Sequence, residues 1–210
     1  MQNVPFYSSY NALSRELPRR MASIEREEAV VVVEQIARDA SFLHQFRPLL
    51  KCAPRTGTDP IILATHLGHT ASGAALHLFY WPVGAATPIH DHTSWGVYQC
   101  VSGALLEERY ARLDDGEQPE TAHLRKRWRR RWNHWDGAST VGAYADGIHR
   151  IANHSRQPSL SLHMYGPRVD LLDGRDYDPS RDFVCDRIEE VPEVSFMNAS
   201  LANSLIEKTV

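Results

Sequence analysis

The stretch VGAATPIHDHTSWGVYQCVSG, residues 83–103, decides how the rest of the chain is read. Two histidines stand two apart in it, His90 and His92, behind a proline and ahead of a Thr-Ser-Trp-Gly turn. Successive side chains of a β-strand point to opposite faces, so residues i and i+2 project together. His90 and His92 therefore converge on one point while Asp91 points away. Neutral imidazole is the commonest metal ligand, and two rings delivered this way supply half of a typical site. A bare His-x-His also describes two surface histidines near a turn, so the surroundings must decide.

Outward from the pair the texture is that of strands. IILATHLG, AALHLFYWPVG, SWGVYQCVSG, ALLEERYARL, STVGAYADGIHRIAN and SLSLHMYGP are short β-rich stretches separated by Gly, Pro, Asp and Asn turns. Many short strands at regular spacing predict an all-β sandwich or barrel. Ahead of them, residues 23–46 space apolar side chains at helical intervals, with Ser23 as the expected N-cap and acids in the first turn. The organisation expected is one domain: a helical extension over residues 1–58, a barrel over 59–185, and a tail over 186–210 where a short helix and disorder both stay open.

Composition narrows the function classes. The chain has 210 residues, 42% hydrophobic and 23% charged, enough for a real core in one domain. A formal net charge of -3 gives no global pull toward nucleic acid or an anionic membrane. No long apolar run suggests a membrane span or a signal peptide, and a cytoplasmic location is expected. Cys52, Cys100 and Cys185 are far apart and form no CxxC pair, so neither a disulfide framework nor a thiolate zinc site is indicated. A metal, if bound, is held by histidine.

A third histidine, in ADGIHRIANHS, completes a pattern: Gly84, His90, His92 and Gly103, then Gly147, His149 and Asn153. This arrangement resembles the paired motifs of the cupin superfamily, and the resemblance implies a double-stranded β-helix, a jelly-roll barrel. The position that carries glutamate in the first cupin motif is Gly96 or Val97 here. Losing the carboxylate leaves three neutral imidazoles and up to three open positions on a divalent ion, whereas the better-known facial iron site has two histidines and a carboxylate. An all-histidine face in a cupin resembles the thiol dioxygenases. HDHTSWG looks like their bacterial mercaptopropionate branch, and SLSLHMYGP matches the Ser-x-His-x-Tyr element of cysteine and mercaptopropionate dioxygenases. On one strand Ser161, His163 and Tyr165 share a face. The resemblance spans roughly residues 60 to 180. It implies Fe(II) on His90, His92 and His149, and a Ser161–His163–Tyr165 relay beside it. It also implies a small thiol and O2 as partners, and a sulfinate as product.

The resemblance thins at the substrate. These enzymes grip a substrate carboxylate with an arginine, whose planar guanidinium binds it bidentately. The matching places here fall near Thr65 and His66, or on Gly174, and Arg168 and Arg175 are the nearest replacements. With Trp95, Gly96 and Val97 after the His-x-His, no cysteine–tyrosine crosslink is expected, and Cys100 reads as a core thiol. The run HLRKRWRRRW, residues 123–132, reads as an edge strand guarded by charge rather than a nucleic-acid site. Two other functions use the same three histidines: a dioxygenase that cleaves a carbon–carbon bond of a chelating substrate, and a cupin that binds a metal or ligand without turnover.

Overall fold

The computed structural model describes residue 17 and residues 23–46, 62–167 and 174–186. Arg168 lies outside the described residues. Eleven described strands follow a helical segment: β1 (Leu63–His69), β2 (Ala75–Trp81), β3 (Ile89–His90), β4 (Gly96–Ser102), β5 (Ala104–Arg112), β6 (Leu124–Asn133), β7 (Ser139–Val141), β8 (His149–Ala152), β9 (Ser159–Tyr165), β10 (Arg175–Asp178) and β11 (Phe183–Asp186). They form a five-stranded sheet, β1-β2-β9-β4-β7, and a six-stranded sheet, β11-β10-β3-β8-β5-β6, with antiparallel pairing. Neighbours distant in sequence, such as β2 with β9 and β3 with β8, mark the double-sheet jelly roll of the cupin fold, as the motifs imply.

The five-stranded sheet is covered on both faces, which explains why its strands look almost wholly buried. Leu76, Leu78, Val97, Leu160, Leu162 and Met164 face outward and pack against Ala29, Val32, Val33 and Ile36 of α1 (Arg26–Arg38). The alternate residues Phe79, Trp81, Tyr98, Cys100 and Tyr165 face the barrel interior and meet Leu105, Trp132 and Ile151. On β9 the usual division is inverted. Its leucines and methionine lie under the helix, while Ser161, His163 and Tyr165 look into the barrel. Polar groups inside a barrel need partners, so that inversion marks a chemical site.

The helix is shorter than its periodicity suggests. It begins after Glu25, whose backbone N–H donates to the Glu28 carboxylate at 3.4 Å, so Glu25 rather than Ser23 is the N-cap. It stops at Asp39, which is extended at φ -76 and ψ 101, before the short α2 (Ala40–His44). Aspartate competes for backbone donors and favours such breaks. The basic run forms β6, the outer strand of its sheet, with Trp132 buried and Trp128 partly exposed. Its charges are met by Glu108, which pairs with Lys126, and by Asp136, 3.9 Å from Arg130. The acidic loop before it turns instead to Arg112, through Asp114 at 2.7 Å.

Candidate metal centre

His90 closes the two-residue β3, His92 follows in the adjoining loop, and His149 opens β8 directly opposite His90 in register. A 3-10 turn, Tyr144–Gly147, delivers His149, and its Tyr144 N–H donates to the His92 carbonyl at 2.7 Å. Gly147 must be glycine here, because a Cβ would lie 2.1 Å from the Gly142 carbonyl oxygen. The three buried rings present ligand atoms within 4.8 Å of one another.

The tautomers of two of the rings follow from what they touch. Nδ1 of His90 lies 3.0 Å from the Pro88 carbonyl oxygen, which only accepts, so Nδ1 carries the proton and Nε2 a lone pair. Nδ1 of His149 lies 3.1 Å from Oε1 of Glu107, with the same consequence. Nε2 of His92 and Nε2 of His149 stand 3.3 Å apart. Two nitrogens at right angles on one divalent ion, each at about 2.1 Å, would be about 3 Å apart. The donor set and its spacing therefore fit a metal ion with further positions open to ligands.

Behind His149 lies a carboxylate that sequence reading missed. Glu107, on β5, is fully buried and gathers donors from every side: His149 Nδ1, Arg109 Nε, the Ser139 hydroxyl at 2.8 Å, Trp132 Nε1 at 2.9 Å and the Tyr98 hydroxyl at 3.2 Å. Burial opposes its ionisation. The hydrogen bond and charge of His149, then Arg109 and Ser139, nevertheless hold its pKa down to about 2. The negative charge absent from the first cupin motif is thus supplied one hydrogen bond behind a ring, where it raises that ring's basicity. Alternation along ALLEERYARL was the available signal, since it puts Glu107 on the same inward face as Leu105.

Asp91, between the two histidines, points away from them as expected and is buried. Its carboxylate accepts from Arg175 Nη2 at 2.7 Å, Arg175 Nε at 3.0 Å and the Tyr177 hydroxyl at 2.6 Å. Arg175, expected near substrate, is joined to the back of the histidine segment by these contacts, and its guanidinium lies over the Tyr144 ring at 5.4 Å.

Across the barrel the three polar residues of β9 form a chain. Trp81 Nε1 donates to Ser161 Oγ at 2.8 Å, Ser161 Oγ lies 2.7 Å from His163 Nε2, and His163 Nδ1 lies 3.1 Å from the Tyr165 hydroxyl. Indole only donates, so the arrangement in which each member donates once runs from Trp81 to Ser161 to His163 to Tyr165. Burial, then the nearby His149 and His77, push the His163 pKa well below its ordinary value, and the ring is neutral. Tyr165 reaches the metal-ligand cluster at His92, with ring centroids 5.0 Å apart. Gly96 makes this approach possible. A Cβ there would lie 2.8 Å from Val141 and 3.3 Å from the Tyr165 ring, so the place of the missing glutamate is where the phenol leans. Cys100 is buried, and burial pushes its thiol pKa up to about 12, as suits a core residue.

A jelly-roll barrel with three convergent imidazoles and an inward phenol defines a cupin with a candidate metal centre. The model of the family described as cysteine dioxygenase type I matches residues 65–178, and the chain belongs to that family. Among solved structures it is similar to an oxalate oxidase in complex with the substrate analogue glycolate, at 15% identity and a TM-score of 0.40 over 55% of this chain and 54% of that one. It is similar also to a DMSP lyase from Ruegeria pomeroyi DSS-3, at 18% identity and a TM-score of 0.38 over 55% and 53%. A third is the cupin domain of an XRE family transcriptional regulator from Enterobacter cloacae, at 17% identity and a TM-score of 0.35 over 51% and 98%. The chain spans about half the length of the oxalate oxidase it matches.

Proposed function

We propose that this protein is a non-haem Fe(II) thiol dioxygenase, which adds both atoms of O2 to the sulfur of a small thiol such as cysteine, 3-mercaptopropionate or a related mercapto acid. The balanced reaction takes RSH and O2 to RSO2⁻ and one proton. Three imidazoles facing a buried, hydrogen-bonded tyrosine carry this reading. His90, His92 and His149 are the proposed ligands, and Ser161, His163 and Tyr165 the proposed catalytic relay. Fe(II), when bound, supplies the open coordination positions and one-electron chemistry that let a thiolate react with O2.

The chain's own residues do the rest. Glu107 fixes the His149 tautomer, and Arg175, with Tyr177, holds Asp91 and so the His90–His92 segment in place. The neutral His163 donates to the Tyr165 oxygen, which leaves the phenol as the proton donor or acceptor beside the reacting sulfur. General acid–base help of this kind contributes roughly 10²-fold to 10⁴-fold in rate. A carbon–carbon bond cleavage would use the same ligands but has no need of this relay.

The test is oxygen consumption by the iron-reconstituted protein over a panel of small thiols, with the product weighed after reaction under ¹⁸O2. We expect one thiol to give a sulfinate carrying two labelled oxygens. Oxygen uptake with only disulfide or peroxide as product, or no uptake with any thiol, overturns the assignment.

A further inference from the structure

β2 carries a histidine that the metal centre and the relay leave unused. His77 is 6% exposed and lies opposite His163 in register, facing the barrel interior with Phe79 and Tyr165 at ring distances of 6.2 and 6.0 Å. Its Nδ1 is buried and has no hydrogen-bond partner among the described residues. An unpaired polar atom inside a fold costs free energy, and its persistence points to a partner that arrives from outside. His66, on β1, is the register partner of His77, with ring centroids 5.1 Å apart, and His69 stacks on His66 at 5.7 Å from the exposed rim. The three imidazoles thus run from solvent to Tyr165, which also lies beside His92.

We infer that His77, with His66 beside it, is the specificity-determining anchor that donates a hydrogen bond to an oxygen at the far end of the thiol substrate. This rests on the thiol reading of the metal centre. Tyr165 stands beside both ends of the path such a thiol would take, its ring centroid 5.0 Å from that of His92 and 6.0 Å from that of His77. The groups facing His77 among the described residues are His66 on β1, Phe79 on β2, and His163 and Tyr165 on β9. None of them is a permanent cation. Burial, then the neighbouring His66, lower the His77 pKa to about 4, so the anchor is uncharged at neutral pH. An uncharged anchor recognises an oxygen by hydrogen bonding and does not select for a negative charge. The substrate class is therefore a small thiol with a hydrogen-bond-accepting oxygen, and a hydroxyl end is taken at least as well as a carboxylate.

Zinc-loaded protein tests this without requiring turnover. Calorimetric titrations with 2-mercaptoethanol, 3-mercaptopropionate and ethanethiol compare an uncharged oxygen, a carboxylate and no polar end. In His77→Leu the affinity for 2-mercaptoethanol should fall by roughly tenfold, the value of one hydrogen bond, with ethanethiol unchanged. His77→Asn, whose amide can reach the place of Nδ1, should restore most of the loss. His77→Leu should also melt at a higher temperature than the parent, because it removes an unpaired buried polar atom. Equal weakening of ethanethiol, an unchanged affinity for 2-mercaptoethanol in His77→Leu, or a preference of roughly a hundredfold for 3-mercaptopropionate over 2-mercaptoethanol in the parent overturns the anchor. If the anchor passes and the iron-loaded protein forms no sulfinate, the anchor stands and the dioxygenase reading alone falls.

Discussion

Glu107 shows how one buried charge sets the properties of a site otherwise built from neutral rings. Its two oxygens accept from five side chains, two of which, Trp132 and Arg109, can only donate. A glutamine there could still accept from His149, but its amide N–H would then face the donors Trp132, Ser139 and Tyr98. Both the charge and the fit would be lost. We expect Glu107→Gln to weaken metal binding by about 10-fold to 100-fold, as removal of a carboxylate behind a ligating histidine does. It should also destabilise the metal-free fold by about 3–5 kcal/mol, because Arg109 is left with its buried partner gone. Competition titration against a metal indicator and a denaturant melt measure the two effects. Unchanged metal affinity would show that Glu107 supports the fold alone.

Among the strands, alternation carried the reading a long way and then stopped for an identifiable reason. β2, β4, β5, β6 and β9 each lie within a stretch whose composition marks it as a strand, and the i, i+2 rule placed Ser161, His163 and Tyr165 on one face. That rule reads faces within one strand; it says nothing of which strands become neighbours. The joining of β5 to β8, which sets Glu107 behind His149, and of β3 to β10, which sets Arg175 on Asp91, arises from tertiary pairing and leaves no local trace. The β5–β6 turn shows local chemistry that is legible after the fact. Asp114 accepts from Arg112 Nε at 2.7 Å, the His123 N–H at 2.6 Å and the Gly116 N–H at 3.0 Å. Burial is the largest single influence and raises its pKa, but the His123 N–H, Arg112 and the Gly116 N–H together outweigh it and bring the value from 3.8 to about 2. A carboxyl depressed in the folded state stabilises the fold above its unfolded value and loses that contribution as pH falls through the folded one. Asp114→Asn should therefore be less stable than the parent at pH 7, by about 1 kcal/mol once solvent screening of this exposed turn is allowed for. The gap should close between about pH 4 and about pH 2. A gap that stays constant across that window would mean the loss comes from packing, not charge.

At the scale of the whole molecule the two sheets divide the work, since the histidines belong to the six-stranded sheet and its loop while the Ser161–His163–Tyr165 chain belongs to the five-stranded one. A metal ion on the histidines would touch only one sheet, and the core and α1 packing that hold the sheets together do not involve it. The metal-free protein should therefore stay folded, unlike small domains whose folding depends on the ion. Binding nevertheless draws the equilibrium toward the folded state by mass action, by about 4 kcal/mol at a free metal concentration a thousandfold above the dissociation constant. Three rings whose ligand atoms already converge should gain most of that at once, because little reorganisation remains to be made. We expect anaerobic addition of Fe(II), or of Zn(II) as a redox-inert substitute, to raise the melting temperature of the parent, and chelation to reverse the rise without unfolding the protein at room temperature. His90→Ala should abolish the rise: the variant should melt at the same temperature with and without the ion, whatever the loss of a buried ring costs its metal-free fold. A rise in His90→Ala equal to that of the parent would place the stabilising ion elsewhere on the molecule and separate the three histidines from metal binding.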